Sequence, residues 1–174
     1  MQFAATDGFT LHGTLYEGGA DAILIASALG VKRRYYDAFA HAAVARGFTV
    51  FTFDYRGIGE SRPSSLRGFN ASMHDWGALD LPAAIDQLKG ARSITLVGHS
   101  AGGQIPGLAS NVNAIDRLVR TAQGAGDMVT TRSYARAPLT PASRTLSRRE
   151  RDNASRAARG SSPSPRGRRW PKAG

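Results

Sequence analysis

The most constraining feature of this sequence is a short apolar run that ends in a glycine-flanked serine. Residues 93–97 read SITLV, as expected of a strand buried on both faces, and residues 98–102 read GHSAG. The second run matches G-x-S-x-G in the context that the motif requires, directly after a buried strand. Because Gly98 and Gly102 allow close backbone approach, the pattern predicts a sharp turn that lifts the Ser100 hydroxyl above the carboxyl end of the strand.

The first 126 residues alternate between strand and helix patterns. Strands separated by helices of 10–15 residues predict βαβ units and a mostly parallel sheet. The predicted strands are 2–5, 9–16, 22–26, 48–53, 93–97 and 117–122. The predicted helices are 35–46, ended by Gly47, then 75–89, kinked at Pro82, and a third that begins near Ala101 and continues toward Ser110 despite Pro106. The core side of the first helix is predicted to carry Tyr36, Phe39, Ala40, Ala43 and Val44.

The charge of the chain divides at about residue 127. Its net charge is +10, yet residues 1–127 hold 11 basic and 11 acidic side chains, whereas residues 128–174 hold 12 and 2. The second segment is rich in Arg, Ser, Pro and Ala, so it cannot bury enough apolar area to offset its ordering entropy. We therefore expect a partial α/β domain over 1–126 and a basic, disordered tail over 127–174. An out-of-frame reading of GC-rich DNA would also produce such a tail.

A second motif follows the predicted strand at 48–53. Residues 54–61 read DYRGIGES, and a helix, a strand and GHSAGG come after them in that order. With both motifs in place, residues 1–126 resemble the N-terminal part of the α/β-hydrolase superfamily, close to its lipase, esterase and serine-aminopeptidase branch. The resemblance implies a mostly parallel sheet with flanking helices, truncated after about the sixth strand. It also implies a structural role for Asp54, whose carboxylate we expect to accept hydrogen bonds from backbone N–H groups.

The same resemblance implies a catalytic role for Ser100. It would be the nucleophile of a serine hydrolase that cleaves an ester or a small amide by acyl transfer, with Gly98 and Gly102 as the glycines of its turn. Ala101 N–H would be one donor to the developing oxyanion.

The second oxyanion donor is expected from the loop after the third predicted strand. That loop reads Ser27-Ala28-Leu29-Gly30. Ala28 N–H is the first candidate and Leu29 N–H the second, because the chain has Ala26-Ser27 where many members of the superfamily carry His-Gly.

No histidine follows Ser100 in this sequence. A serine hydroxyl needs a base to remove its proton and an acid to orient that base, and in this superfamily both come after the serine. Two alternatives to an active hydrolase therefore stay open. One is a catalytically inactive truncated fragment or pseudo-hydrolase. The other is a module whose basic tail binds nucleic acid or an anionic surface, although Tyr134 and Trp170 are its only aromatic residues.

The remaining composition gives expectations about metal sites, cofactors, targeting and partners. There is no cysteine and the four histidines are scattered, so we expect no metal site and no cofactor. The first ten residues lack a basic and apolar leader, and no run of 18 apolar residues occurs, so we expect neither a secretory signal nor a membrane span. The expected partner is a small-molecule ester or amide, with no specific nucleic acid, and the expected location is the cytoplasm.

Overall fold

A single seven-stranded sheet organises the part of the chain that the computed structural model describes, which is residues 1–122 and the backbone of 130–133. The strand order across the sheet is β1-β2-β4-β3-β5-β6-β7. The strands are β1 (Gln2–Ala4), β2 (Thr10–Tyr16), β3 (Asp21–Ala26), β4 (Phe48–Asp54), β5 (Ser93–His99), β6 (Arg117–Thr121) and β7 (Thr130–Ser133). The α-helices are α1 (Asp37–Val44), α2 (Met73–Asp75) and α3 (Leu81–Asp86).

Four parallel strands form the centre of this sheet, and antiparallel strands flank them. β4, β3, β5 and β6 run parallel, β2 and β7 pair antiparallel with β4 and β6, and β1 pairs antiparallel with β2. The central strands are apolar because both faces are covered. Leu24 and Phe51 belong to the cluster on one face, whereas Ile25 and Val50 belong to the cluster on the other, against α1. The predicted α/β fold class and the six predicted strands are confirmed.

One core residue predicted for the first helix is wrong. Helix α1 begins at Asp37, after a 3₁₀ turn at Arg33–Tyr36, and buries Ala40 and Ala43 as predicted. Phe39, however, is 46% exposed. Its ring borders an open cleft beside α1 because, among the described residues, no element covers that part of the sheet.

The second predicted helix is continuous but irregular. A π-helical stretch, Trp76–Asp80, separates α2 from α3. Pro82 lies in the first turn of α3, where a missing N–H is tolerated, so the irregularity precedes the proline.

The third predicted helix is absent. The chain after β5 forms three short 3₁₀ turns, Ser100–Gly103, Pro106–Leu108 and Val112–Ala114. The physical reason lies in the sequence, because glycines at 102, 103 and 107 disfavour a helix and Pro106 removes a backbone donor. Within residues 1–122, therefore, no α-helix begins at Ser100.

The strand β7 lies within the segment predicted to be a disordered tail. Its backbone pairs antiparallel with β6 over Thr130–Ser133, so the sheet has one strand beyond the six that the sequence predicts. The rest of the predicted tail lies outside the described residues. Within those residues, no helix has the length and apolarity needed to cross a bilayer.

A buried ion pair between Asp54 and Arg33 links the turn after β4 to the segment before α1. The Asp54 carboxylate is 1% exposed, accepts hydrogen bonds from the backbone N–H groups of Arg33 (2.7 Å) and Glu60 (3.1 Å), and pairs with the Arg33 guanidinium. Arg33 also donates to Glu60 at 2.6 Å, which lowers the pKa of Glu60. Asp54 thus binds backbone N–H groups as the sequence predicts, and it joins the 3₁₀ turn before α1 to the end of β4.

Removing the Asp54 carboxylate should destabilise the protein. We expect Asp54→Ala to lower the free energy of unfolding by about 3 kcal/mol, because Arg33 loses its buried counter-charge and keeps only the more exposed Glu60. The measurement is the urea midpoint of the full chain. Asp21→Ala is the control, because its partner Arg92 is 72% exposed, and it should shift the midpoint less. Equal shifts for the two variants would contradict this account of the ion pair.

Candidate active site

The site lies where the strand order of the sheet reverses. From β3 the chain moves to β4 on one side and then to β5 on the other, so β3 and β5 flank the switch point. Ala26 and Gly98 are paired in the register of these two strands. Open α/β sheets bind ligands in the crevice outside the carboxyl ends of such strands. The loop 27–30 and Ser100 leave β3 and β5 at that crevice.

Ser100 has an unusual backbone conformation. Its φ is +49°, in the left-handed region, and only one other non-glycine residue with positive φ, Ala122, occurs in the described part of the chain. A non-glycine residue in this region is energetically costly and persists where surrounding packing imposes it. Ser100 is partly exposed and follows the last residue of β5 directly.

The glycines around Ser100 lie where no side chain fits. A Cβ atom at position 102 would lie 2.7 Å from the carbonyl oxygen of Ser27 and closer still to that of Ala26. A Cβ atom at position 98 would lie 2.5 Å from the Cα atom of Gly103. The turn therefore packs directly against the end of β3 and against its own strand.

Ala101, the residue after the serine, lies at the start of a helical turn. It is the second residue of the 3₁₀ turn Ser100–Gly103 and is 6% exposed. The N–H groups at the start of a helical turn have no acceptor within the turn. Ala101 N–H is therefore placed next to the serine hydroxyl without a helical partner.

Ala28 N–H, in contrast, already has a partner. It donates to the Tyr36 hydroxyl at 3.2 Å, in a buried bond. Leu29 follows at the rim, with 65% of its side chain exposed, and within residues 1–122 no acceptor is found for its N–H. The two candidate donors of this loop thus differ, because one is already hydrogen-bonded and the other is not.

Tyr36 also reaches the residue before the serine. Its hydroxyl oxygen lies 2.9 Å from His99 Nδ1, and burial raises the pKa of Tyr36, so the hydroxyl stays protonated and can both accept and donate. Helical spacing predicts Tyr36 in the core, where it lies, but does not predict these hydrogen bonds. One feature of the sequence could have indicated them, because a tyrosine predicted to be buried usually has a hydrogen-bond partner for its hydroxyl.

His99 does not pack away from solvent behind Ser100. It is partly exposed and borders an apolar cleft of about 260 Å³, together with Ile25, Phe39, Val97 and Thr121. Two other histidines lie elsewhere, with His12 Nε2 3.0 Å from Gln2 Nε2 and the His41 ring against the Tyr16 ring. In the described ranges, no three metal-ligating side chains form a group.

The comparisons identify the family. The profile described as the alpha/beta hydrolase family matches residues 10–174. The chain belongs to the alpha/beta hydrolase family. No curated protein matches this hydrolase significantly.

Solved structures of related fold come from several organisms. An esterase from Pyrococcus furiosus has a TM-score of 0.57 and 22% identity, with 67% of this chain and 48% of that one covered. An esterase from Exiguobacterium antarcticum has a TM-score of 0.51 and 23% identity, covering 61% and 37%. An epoxide hydrolase from Vigna radiata has a TM-score of 0.54 and 20% identity, covering 69% and 37%. These likenesses concern the fold, and the matched region of this hydrolase spans less than half of each of these chains.

Adding one methyl group at position 102 should disrupt the turn. We expect Gly102→Ala to lower the free energy of unfolding by about 3 kcal/mol, because the new Cβ atom meets backbone oxygen atoms that cannot move aside cheaply. The measurement is the urea midpoint of the full chain.

Gly90→Ala is the matched control for this change. A Cβ atom at position 90 meets nothing within 4 Å, so the control should be neutral or slightly stabilising. A tolerated alanine at position 102 would contradict the close approach of the turn to β3.

Proposed function

We propose that this alpha/beta hydrolase cleaves an ester or a small amide by acyl transfer through Ser100. The observation that carries the proposal is the conformation of Ser100. Its left-handed φ at the carboxyl end of β5, beside the switch point, places a hydroxyl in the crevice where such sheets bind ligands. This backbone conformation, between a strand and a helical turn, supports a nucleophilic role for Ser100.

The nucleophile type favours a carbonyl substrate. Attack of a serine oxygen on an ester or amide carbonyl gives an acyl-enzyme, which water can hydrolyse to release the acid and free the serine. Attack of the same oxygen on an epoxide carbon would give an ether, which water does not cleave. Between the activities named for the fold neighbours, esterase chemistry is therefore the one that a serine at this position can complete.

Two backbone N–H groups are proposed to stabilise the oxyanion. Ala101 N–H is the first, because it follows the nucleophile and has no acceptor within its own turn. For the second donor, Ala28 N–H would have to leave the Tyr36 hydroxyl, whereas Leu29 N–H requires no exchange. We therefore assign the second role to Leu29.

The lack of a histidine among residues 101–174 limits the rate that we expect for this chain. Because they contain no histidine, these residues supply no base in the position usual for the family. Triad enzymes that lack a member keep roughly 10³–10⁴-fold catalysis over water from the oxyanion hole and binding. The same absence also fits a competing function, that of a pseudo-hydrolase, which has the fold of the family but does not turn over substrate.

An activated phosphonate distinguishes these two functions. We expect a fluorophosphonate to label the full chain at one equivalent, slowly, because residues 101–174 contain no histidine that could act as the general base for Ser100. Ser100→Ala should abolish the labelling, and Ser110→Ala, an exposed serine ten residues later, should retain it. Both variants should also be followed for hydrolysis of a p-nitrophenyl ester.

The outcomes separate the two functions. Labelling that depends on Ser100, with measurable ester hydrolysis, supports the hydrolase. A folded chain that shows a cooperative urea transition but neither labelling nor hydrolysis contradicts it and supports the pseudo-hydrolase.

A further inference from the structure

We propose that Tyr36 is a positioning residue that holds the loop after β3 and the Ser100 turn in register. The inference rests on the proposed function, because the alignment matters only if Ser100 reacts. It depends on one hydroxyl group that contacts both segments. Tyr36 Oη accepts a hydrogen bond from Ala28 N–H at 3.2 Å and lies 2.9 Å from His99 Nδ1.

The direction of the second hydrogen bond follows from the first. Once the Tyr36 oxygen accepts from Ala28 N–H, its own proton needs an acceptor, and His99 Nδ1 is the acceptor within reach. A neutral His99 then carries its proton on Nε2. The hydroxyl thereby joins the backbone of residue 28 to the side chain of the residue that precedes the nucleophile.

Packing fixes the position of this hydroxyl. Tyr36 is 9% exposed, and its ring makes edge contacts with Tyr35 and His99 at centroid distances of 5.1 and 6.1 Å. It directly precedes α1, which buries Ala40 and Ala43 against the sheet. The packing of α1 therefore fixes the position of the Tyr36 hydroxyl, and the hydroxyl in turn fixes the two loops that it contacts.

The relative position of the loop after β3 and the Ser100 turn decides whether the proposed oxyanion donors can act together. The proposed oxyanion donors, Leu29 N–H and Ala101 N–H, lie on different segments and must converge on one oxygen atom. Gly102 packs against the backbone of Ala26 and Ser27, and the Tyr36 hydroxyl binds the backbone of Ala28, so both contacts fix the same loop relative to the serine turn. Small displacements of such groups cost large factors in rate.

Two neighbouring tyrosines provide the test. Tyr36→Phe removes the bridging hydroxyl and keeps the ring, whereas Tyr35→Phe removes a hydroxyl from a side chain that is 72% exposed. On the full chain, we expect Tyr36→Phe to slow fluorophosphonate labelling of Ser100 about tenfold, as expected for loss of one buried hydrogen bond at the site. Tyr35→Phe should label within twofold of the wild-type rate.

Two further readouts separate alignment from general stability. Hydrogen exchange of the Ala28 amide should accelerate in Tyr36→Phe more than exchange of amides in the centre of β3. The ¹⁵N spectrum of neutral His99 should show the Nε2–H form in the wild type and a shifted tautomer ratio in Tyr36→Phe. A tyrosine that contributed only to packing would change the urea midpoint without moving these two signals, which report the two hydrogen bonds directly.

The failure of this inference and that of the proposed function are distinguishable. A wild type that labels at Ser100, with a Tyr36→Phe variant that labels equally fast, overturns the positioning role and leaves the hydrolase intact. A folded wild type that does not label at all overturns the proposed function and this inference with it. Tenfold slower labelling with faster Ala28 exchange supports both.

Discussion

The site depends on the absence of side chains where the chain folds back after β5. Positions 98 and 102 lie so close to neighbouring backbone that a single Cβ atom would overlap it. This contact presses the turn against the end of β3, and the left-handed backbone of Ser100 is what allows the chain to make that turn. The rest of the site follows from the resulting placement of a hydroxyl beside the loop 27–30, at the switch point of the sheet.

Buried polar groups then hold the surrounding loops. The Asp54 carboxylate binds the backbone of Arg33 and Glu60 and so ties the segment before α1 to the end of β4. Three residues after Arg33, the Tyr36 hydroxyl ties that same segment to Ala28 and His99. Burying a polar group raises the free energy of the folded state unless the group is hydrogen-bonded. These bonds therefore select one arrangement of the loops, because the alternatives would leave buried groups unpaired.

The sequence predicts the strands of this fold and the position of the serine well, because both depend on local patterns. SITLV followed by GHSAG is a strand and a turn in any context that buries the strand. The missing helix after Ser100 shows the limit of that approach, since the glycines and Pro106 outweigh the order of elements usual in the superfamily. Helical spacing could not predict the exposure of Phe39 or the hydrogen bonds of the Tyr36 hydroxyl, because both depend on segments distant in the sequence.

The fold alone does not decide the reaction, because both esterases and an epoxide hydrolase share it. The chemistry of this chain depends on whether Ser100 forms a covalent adduct. The most direct measurement is peptide mapping after treatment of the full chain with a fluorophosphonate. Trypsin releases residues 93–117, which contain three serines, Ser93, Ser100 and Ser110. The account predicts a phosphonyl adduct on Ser100 alone, and an adduct on either other serine, or none on a folded chain, would contradict it.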